Sequence, residues 1–447
     1  MASTYLTRTF GSSGNQKTFT ISFWFKRSNL TTGHFFTYQD ASSEIRSDFS
    51  IVNDRIGINF NPTGSAWGAD LTIRDNGSNI LFRDTNSWYH LVMAFDTTQA
   101  TEANRIKVYV NGVQKTMSAY PSRNFDTGYS TAIQHGIGTY AHSPGGNYFD
   151  GLMSHFHFID GTAYDASAFG STDSTTGEWK INTSPSVTYG TNGFFILKDG
   201  NSVTDVSPNT NNFTVAGGTL TKTEDCPSNV FATFNSLASK VLGTVGFTLE
   251  NGNTVLNPSS NTAQFTTSTL CTPSTGKFYW EMKSTSSSGT DWPDIGFMFT
   301  DSISTHMSVS NNPQHNFSYA SAIEPNGTKW QFGTQTTSWF GGFNSNDIIN
   351  CAVDVSAGKF WWGVNGSWLN SGDPANGTNA GATFAAGTSI TAWTEQYSVG
   401  DVQANFGNGY FGTTAVSSAG TNASGNGIFE YDVPTGFTAL STKGLNL

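Results

Sequence analysis

Aromatic residues in turn-like stretches are the side chains of this sequence best suited to bind a ligand. Trp67 lies in GSAWG, Trp292 follows a run of Ser, Gly and Thr, and Trp339 and Phe340 lie in GTQTTSWFGGFNSN. Sugars present apolar C–H faces that stack on aromatic rings, while amides and carboxylates bind their hydroxyl groups. These residues therefore predict a ligand-binding surface, with rings folded onto their own domains as the alternative. The small neighbours of Trp339 and Phe340 predict an exposed aromatic platform.

Two histidines in the run SHFHF could share a metal ion. His155 and His157 would point to one face of a strand, while Phe156 and Phe158 point to the other. Two ligands are only half of the four that a zinc site usually has. The pattern therefore favours two histidines on the polar outer face of a sheet, and we predict no metal site.

The acidic residues show no catalytic pattern in the sequence. A glycosidase needs two carboxylates that flank the scissile bond, but no E-x-D-x-E run occurs and Glu102, Glu178 and Glu281 are isolated. The motifs G-x-S-x-G and H-E-x-x-H and the P-loop are missing as well. We predict that the protein is not an enzyme. A glycan-degrading pair assembled from distant strands is the distant alternative.

The composition is typical of an all-β protein with a neutral surface. The 447 residues include 48 glycines, 14% aromatic residues and only 12% charged residues. A net charge of −11, with 21 Lys and Arg, argues against binding to nucleic-acid phosphates. Cys226, Cys271 and Cys351 are too few and too scattered for a disulfide framework or a zinc site.

Neither export nor membrane insertion is predicted. The opening residues, MASTYLTRTF, lack the apolar run of a signal peptide. No stretch approaches the ~20 apolar residues of a membrane helix. We therefore expect a soluble protein that is made in a cytoplasm.

Strands with alternating apolar residues would position these side chains. In the first half, Phe19, Ile21, Phe23 and Phe25 alternate with residues that predict partial cover on the other face. A later strand of this half ends at Asn111-Gly112, a dipeptide that favours the positive φ angles of a tight hairpin turn. One short helical turn is expected, at 166–169.

The second half repeats this arrangement. Apolar residues at period two from Ile349 to Val355 predict a half-buried strand, and Lys359–Val364 predicts its antiparallel partner, which ends at Asn365-Gly366. Five tryptophans within predicted strands are expected to be core or sheet residues: Trp24, Trp88, Trp280, Trp361 and Trp362.

A domain boundary is predicted near Pro227. Residues 201–225 are rich in Ser, Asn, Thr and Gly, and a new apolar pattern begins at Val230. We therefore divide the chain into domains 1–226 and 227–447, each long enough to bury a core.

The second half resembles a SPRY domain. NDIINCAVDVSAGKFWWGVNGSW matches the most recognisable part of that family, and GKFYWEM, DIGFMFT, VQANFGNGYF and PTGFTAL follow the family's order and rough spacing. The resemblance covers roughly the last 200 residues.

The first half resembles laminin-G-like or concanavalin A-like lectin domains. TFTISFWFKRS, NSWYHLVMAFDTTQATEANRIKVYVNGV and YFDGLMSHFHFIDGTAY carry the resemblance, from about Thr18 to Tyr164. It implies a jelly roll of two antiparallel sheets. Such folds sometimes hold calcium near positions such as Asp96, Asp150 and Asp160, although a lone carboxylate more often caps backbone N–H groups. No cofactor is predicted, and calcium stays an open alternative.

The style of the sequence around both domains is similar to virion structural proteins of tailed bacteriophages, particularly marine ones. YLTRTFGSSGNQKTFTISFWFKRS, DGLMSHFHFIDGTAYDASAFG and DCPSNVFATFNSL carry this resemblance. It implies a virus-particle protein whose partners include other virion proteins and whose copies form a homo-oligomer on the particle.

Together these patterns predict an all-β protein of two tandem antiparallel β-sandwich (jelly-roll) domains, lectin-like and then SPRY-like. We expect a phage surface protein of the tail fibre or spike type that binds a host surface glycan or receptor through exposed loops. The alternative is a capsid decoration or fibre protein with a mainly structural role.

Independent folding of the second half is the first testable expectation. Because this half has its own strands and aromatic set, a fragment that begins near Val230 should show β-type circular dichroism and a cooperative melt. An aggregated or unfolded fragment would mean that the two halves share strands.

Overall fold

Antiparallel strands dominate the computed structural model. It describes residues 3–42, 44–64, 71–74, 81–142, 146–198, 203–241, 247–258, 263–286, 293–309, 317–397 and 400–446. The chain divides into two units, Met1–Lys222 and Thr223–Leu447. Within the described ranges, no helix is long and apolar enough to cross a membrane.

The first unit contains the following strands in chain order: β1 Tyr5–Thr9, β2 Thr18–Arg27, β3 Gly33–Gln39, β4 Arg46–Val52, β5 Arg55–Asn61, β6 Leu71–Arg74, β7 Tyr89–Asp96, β8 Ile106–Val110, β9 Val113–Lys115, β10 Gln134–Ile137, β11 Gly151–Asp160, β12 Gly170–Thr172, β13 Trp179–Ile181, β14 Phe194–Ile196 and β15 Thr214–Gly217. Single 3-10 turns lie at Glu102–Asn104 and Ala166–Ala168. The second of these confirms the predicted helical turn.

The second unit contains these strands: β16 Phe234–Val241, β17 Phe247–Glu250, β18 Val255–Pro258, β19 Ala263–Cys271, β20 Lys277–Ser284, β21 Asp294–Phe299, β22 Ala320–Ile323, β23 Lys329–Gln331, β24 Thr334–Thr336, β25 Ile348–Asp354, β26 Lys359–Val364, β27 Ser367–Trp368, β28 Ala382–Thr383, β29 Ile390–Tyr397, β30 Val402–Asn405, β31 Tyr410–Phe411, β32 Thr414–Ala415 and β33 Thr438–Ala439. A short helix, α1 Ile303–Ser308, and 3-10 turns at Thr300–Ser302, Leu369–Ser371 and Gly444–Asn446 complete it. The sequence pattern did not predict α1.

Each unit is a sandwich of two large sheets, as predicted. The first unit pairs a seven-stranded sheet, β15-β1-β10-β3-β4-β5-β6, with a six-stranded sheet, β14-β11-β2-β7-β8-β9. The second pairs a seven-stranded sheet, β16-β19-β29-β21-β22-β23-β24, with a nine-stranded sheet built on β17-β18-β30-β20-β25-β26-β27. Two-stranded sheets are formed by β12 with β13 and by β31 with β32.

The two sandwiches have the same strand order. The neighbours β1-β10-β3-β4-β5-β6 of the first unit correspond in chain order and pairing to β19-β29-β21-β22-β23-β24 of the second. In the other sheet, β11-β2-β7-β8-β9 corresponds to β30-β20-β25-β26-β27. The chain therefore builds one topology twice from sequences that share mainly their alternation and their N-G turns.

Aromatic side chains fill the space between the sheets of the first unit. Phe23 on β2 lies 4.7 Å from Phe156 on the neighbouring strand and 5.0 Å from Phe35 on the opposite sheet, measured between ring centres. Phe19, Ile21 and the other inward residues of β2 are fully buried. Burying large aromatic surfaces in this way supplies most of the driving force for the sandwich.

The core of the second unit contains the apolar face predicted from Ile349 to Val355. Phe297 and Phe360 stack across it at 4.5 Å, and Trp362 donates its indole N–H to the carbonyl of Ile295 at 2.9 Å. The tryptophans that were expected in strands are buried in both units, as predicted: Trp24, Trp88, Trp280, Trp361 and Trp362.

In the first unit, residues that follow β11 cover the outer face of the six-stranded sheet, which points away from the core. This layer contributes a cluster around Ile159, Phe169 and Tyr189. His155 and His157 do point away from the core, but they are 1% and 2% exposed beneath this layer. The expectation that they lie on an open polar face is therefore wrong, because the ring of Phe195 on the neighbouring strand β14 packs against both, and Tyr189 of the covering chain contacts His157.

His90 is also buried in this layer, and its contacts fix its protonation. The indole N–H of Trp179 donates to Nδ1 at 2.9 Å, so Nδ1 must be the acceptor nitrogen and Nε2 carries the hydrogen. Nε2 lies 3.0 Å from the hydroxyl of Ser22. Burial lowers the pKa of His90 to about 3, and a second, weaker contribution comes from His155. The ring therefore stays neutral in the folded protein.

The C-terminal residues cover the corresponding face in the second unit. Phe429, Val433 and Phe437 form a cluster with Tyr279 and Trp361 of the sheet. A buried carboxylate on β20 anchors this cover.

Glu281 ties the covering segment to the sheet. Its carboxylate accepts the backbone N–H groups of Glu430 and Tyr431 at 2.9 Å each, the hydroxyl of Tyr279 at 2.9 Å and the amide of Asn405 at 3.2 Å. Burial raises the pKa of Glu281 to about 7, although these hydrogen bonds oppose the shift. All four of its acceptor positions are used, so the group is structural.

The predicted N-G turns are confirmed. Val364 pairs with Ser367, which leaves Asn365 and Gly366 as a two-residue loop with φ angles of 49° and 80°. Asn111 and Gly112 form the same loop between β8 and β9, with φ angles of 47° and 77°. Positive φ at both positions is the signature of a type I′ turn.

Replacing Gly366 by Val should destabilise the second unit by about 2 kcal/mol or more. A β-branched residue resists positive φ, and a Cβ atom at this position would lie 2.6 Å from the ring of Tyr431. Thermal or urea unfolding measures the effect.

Gly341→Val is the matched control, because position 341 has no positive φ and a Cβ atom there would have no neighbouring atom within 4 Å. It should change the free energy of unfolding by only a few tenths of a kcal/mol. Equal effects of the two substitutions would contradict the turn assignment.

Acid should destabilise the first unit between pH 7 and pH 5. Burial lowers the pKa of His90 to about 3 and that of His135 to about 4, whereas both titrate near 6.5 when unfolded. Below pH 6.5 the unfolded chain therefore binds protons that the folded chain does not. Each histidine should cost about 2 kcal/mol of stability at pH 5.

Unfolding measured at several pH values tests this expectation. His90→Gln should reduce the loss of stability between pH 7 and pH 5 by about 2 kcal/mol, the contribution of one histidine. This holds whatever the substitution does to the stability at pH 7. A variant with the same pH dependence as the natural chain would show that His90 does not contribute.

Candidate ligand-binding site

The loop with Trp339 and Phe340 follows β24 and is held by backbone contacts. The N–H of Trp339 donates to the carbonyl of Gly327 at 2.8 Å, and the N–H of Phe343 donates to that of Pro325 at 3.1 Å. Gly327 has a φ of 84°, and a Cβ atom there would lie 2.3 Å from the carbonyl oxygen of Phe340. The loop and the turn before β23 therefore fix each other's conformation.

Both aromatic rings are half-buried, and the expected open platform is not found. The indole of Trp339 lies edge-on to Trp362, with ring centres 6.1 Å apart, and 6.0 Å from the ring of Phe340. Both rings pack against the core of the second unit. Small neighbours in the sequence could not cover them, but core residues distant in sequence do. Each ring keeps a solvent-facing part.

Lys329 on β23 lies against the indole. Its Nζ atom is 4.8 Å from the centre of the Trp339 ring, within the range of a cation–π contact. Nζ also donates to the carbonyl of Gly381 at 2.9 Å and to the side-chain oxygen of Gln331 at 3.1 Å. Since Gly381 precedes β28, which pairs with β26, Lys329 links the edges of the two sheets. Burial lowers the pKa of its ammonium group.

An open cleft of about 360 Å³ lies beside Lys329, at the hairpin of β23 and β24. It is lined by Gln331, Phe332, Thr334 and Thr336. Phe332 stacks on Phe299 at 5.0 Å, which gives the cleft an apolar wall. The threonine hydroxyls and the Gln331 amide can exchange hydrogen bonds with a polar ligand. An apolar wall with a few polar groups is the usual composition of a small-ligand site.

The sequence pattern identified the loop but missed the cleft. Lys329, Gln331 and the threonines come from strands whose residues are ordinary in sequence, and only the hairpin places them beside Trp339. Trp292 and Trp67, the other predicted ligand-binding residues, lie outside the described residues, and their role stays a prediction.

The outer face of the seven-stranded sheet in the first unit carries a second polar group of residues. Asp48, Asn59 and Thr72 lie in one row across β4, β5 and β6. The carboxylate of Asp48 accepts the amide of Asn59 at 3.0 and 3.1 Å, the hydroxyl of Ser50 at 2.8 Å and that of Tyr140 at 3.1 Å. Because these contacts occupy the carboxylate and Asp48 is buried, the row is a structural network.

Two carboxylates that are distant in sequence meet in the second unit. Asp294 on β21 and Glu395 on β29 are directly opposite each other and fully buried. Opposite residues have Cβ atoms about 5 Å apart, so the two side chains lie next to each other, and a glycosidase also uses two neighbouring carboxylates. Both carboxylates are completely buried, however, whereas those of an active site must be accessible to the substrate. The sequence missed this pair because it is formed by strands about 100 residues apart.

The aspartates considered for calcium accept hydrogen bonds from the protein. Asp160 accepts the backbone N–H groups of Asn15 at 2.7 Å and Asn192 at 3.0 Å. Asp96 accepts the hydroxyl of Thr98, and Asp150 accepts the amide of Asn29. Among the described residues, no group of three or more His, Cys, Asp or Glu side chains could hold a metal ion.

Comparisons with known proteins concern mainly the fold. Residues 2–167 match a family model for the concanavalin A-like lectin/glucanases superfamily. This range contains β1 to β11, so the lectin-like character predicted for the first half is confirmed there. No curated protein matches the sequence significantly.

Three solved structures are similar to parts of the chain. The human HERC1 SPRY domain has 15% identity and a TM-score of 0.30, and the match covers 38% of this chain and 96% of that domain. A native heptameric SAP-like pentraxin from Limulus polyphemus has 17% identity and a TM-score of 0.27, covering 36% and 72%. The TRIM65 PSpry domain has 11% identity and a TM-score of 0.27, covering 39% and 89%.

Proposed function

We propose that the protein binds a host-surface glycan or receptor, and that the cleft beside Trp339 is its binding site. The observation that carries this proposal is the fixed loop that holds a partly exposed indole against Lys329, whose opposite residue Thr336 lines an open, partly apolar cleft. A site that is already ordered loses little conformational entropy when a ligand binds. The exposed part of the indole would contact the apolar face of one sugar ring.

The lectin-like first unit supports a carbohydrate as the ligand. The matching family model describes lectins, which bind sugars, and glucanases, which cleave them. The composition agrees, because hydroxyl and amide side chains with aromatic rings are the groups that bind sugars.

We place the protein on the surface of a tailed-phage particle, as a tail fibre or spike. The resemblance of YLTRTFGSSGNQKTFTISFWFKRS, DGLMSHFHFIDGTAYDASAFG and DCPSNVFATFNSL to phage virion proteins supports this location. Other virion proteins and further copies of the chain would then be its partners. Many copies on one particle would multiply a weak single-site affinity.

A capsid decoration or fibre with a mainly structural role is the second candidate. Both sandwiches have covered outer sheet faces, as expected of a rigid building block. A glycan-degrading enzyme is a distant third candidate, and the complete burial of Asp294 and Glu395 argues against that pair as its active site.

The double substitution Trp339→Ala with Phe340→Ala tests the proposal. Loss of stacking should weaken binding by ~1–2 kcal/mol per site, about tenfold in affinity. Adsorption of particles to host cells and thermal unfolding of the protein should be measured together. We expect reduced adsorption with a folded protein.

Trp368→Ala is the control, since Trp368 is a half-buried indole that packs in a different aromatic cluster of the same unit. It should leave adsorption unchanged. Failed particle assembly in the double variant would favour the structural role. Unchanged adsorption and assembly would exclude the cleft.

A further inference from the structure

Among the described residues, the half-buried ammonium group of Lys329 has no acidic partner. Both of its hydrogen-bond acceptors, the Gly381 carbonyl and the Gln331 side chain, are neutral. Within the described part of the chain it forms no ion pair with a carboxylate. A buried charge without a counter-charge is costly, and the cost is recovered when an opposite charge arrives.

The ammonium is directly connected to the cleft. Gln331, which accepts one of its N–H groups, also lines the cleft. A lysine has three N–H donors, and two of them are used by the acceptors named above. One donor therefore remains for a ligand, next to the indole of Trp339.

The overall charge of the protein makes this position unusual. At a net charge of −11, the chain as a whole repels anions. Lys277 of the second unit pairs with Asp354 at 3.3 Å, whereas Lys240, like Lys329, donates to two neutral acceptors, the carbonyls of Met307 and Val309. A local cation in a cleft can still bind an anion, because short-range pairing in a partly buried site exceeds screened long-range repulsion.

We propose that the cleft beside Trp339 is selective for a sugar that carries a carboxylate. The carboxylate would pair with Lys329, the hydroxyl groups would bond to Gln331, Thr334 and Thr336, and an apolar face of the ring would contact Phe332. This inference rests on the proposed function, and it adds the class of sugar that the site takes.

Titration of the full chain with D-galacturonate and with D-galactose tests the selectivity. The two sugars differ at the carbon that carries the carboxylate. The natural chain should bind galacturonate about tenfold more tightly at low salt, the size expected of one charge-assisted hydrogen bond. Added salt should reduce this advantage and leave galactose binding unchanged.

Substitutions assign the effect to Lys329. Lys329→Gln should lower the affinity for galacturonate to that for galactose, and Lys329→Arg should keep most of the preference. Lys443→Gln removes the same charge from an exposed residue near the C-terminal turn and should change neither affinity. Thermal unfolding of each variant shows whether it is folded, and the salt dependence of the natural chain tests the charge without any substitution.

The possible results separate this inference from the proposed function. Equal binding of both sugars, or a galacturonate preference that neither Lys329→Gln nor added salt reduces, would overturn the inference and leave glycan binding intact. Binding of neither sugar would overturn the inference, while the adsorption assay of the Trp339 and Phe340 variant would still decide the role of the cleft.

Discussion

Burial of one strand on both faces is the constraint on which each sandwich depends. In β2 the inward residues are Phe and Ile, and the outward residues include Trp24 and Ser22, all of them buried. A sheet with one buried face needs one layer packed against it, whereas a sheet with two buried faces needs a layer on each side. The chain supplies the second layer from the residues after β11 in the first unit and from its C-terminal residues in the second.

Besides their apolar contacts, these covering layers form hydrogen bonds with the sheets. These hydrogen bonds explain why ionisable groups are buried there. His90, His157 and Glu281 each bind to a residue of the covering chain, through Trp179, Tyr189 and the backbone of residues 430 and 431. A buried polar group that lost its partner would be destabilising. The pairing therefore fixes how the cover docks, in addition to the apolar contacts that drive it.

The candidate site lies at the edge of the seven-stranded sheet of the second unit. At the hairpin of β23 and β24, the side chain of Lys329 reaches across to the other sheet, and an open cleft lies beside it. Neighbouring turns are held by glycines at positive φ and by direct backbone hydrogen bonds, so the site is formed before a ligand arrives. The same arrangement of strands thus provides both the rigid scaffold and the open cleft at its edge.

The sequence by itself determined the strands, the N-G turns and the burial of the strand tryptophans, because period-two alternation and turn chemistry act between residues close in the chain. It also pointed to Trp339 and Phe340. Only the tertiary structure decided that these rings are half-buried, that His155 and His157 are covered, and that Lys329 lies over the indole. Those outcomes depend on contacts between segments far apart in sequence, such as Trp339 with Trp362 and Lys329 with Gly381. Local patterns carry no information about which distant residues fold over a given face of a sheet. The burial of these side chains and the partners of Lys329 could therefore not be predicted from the sequence.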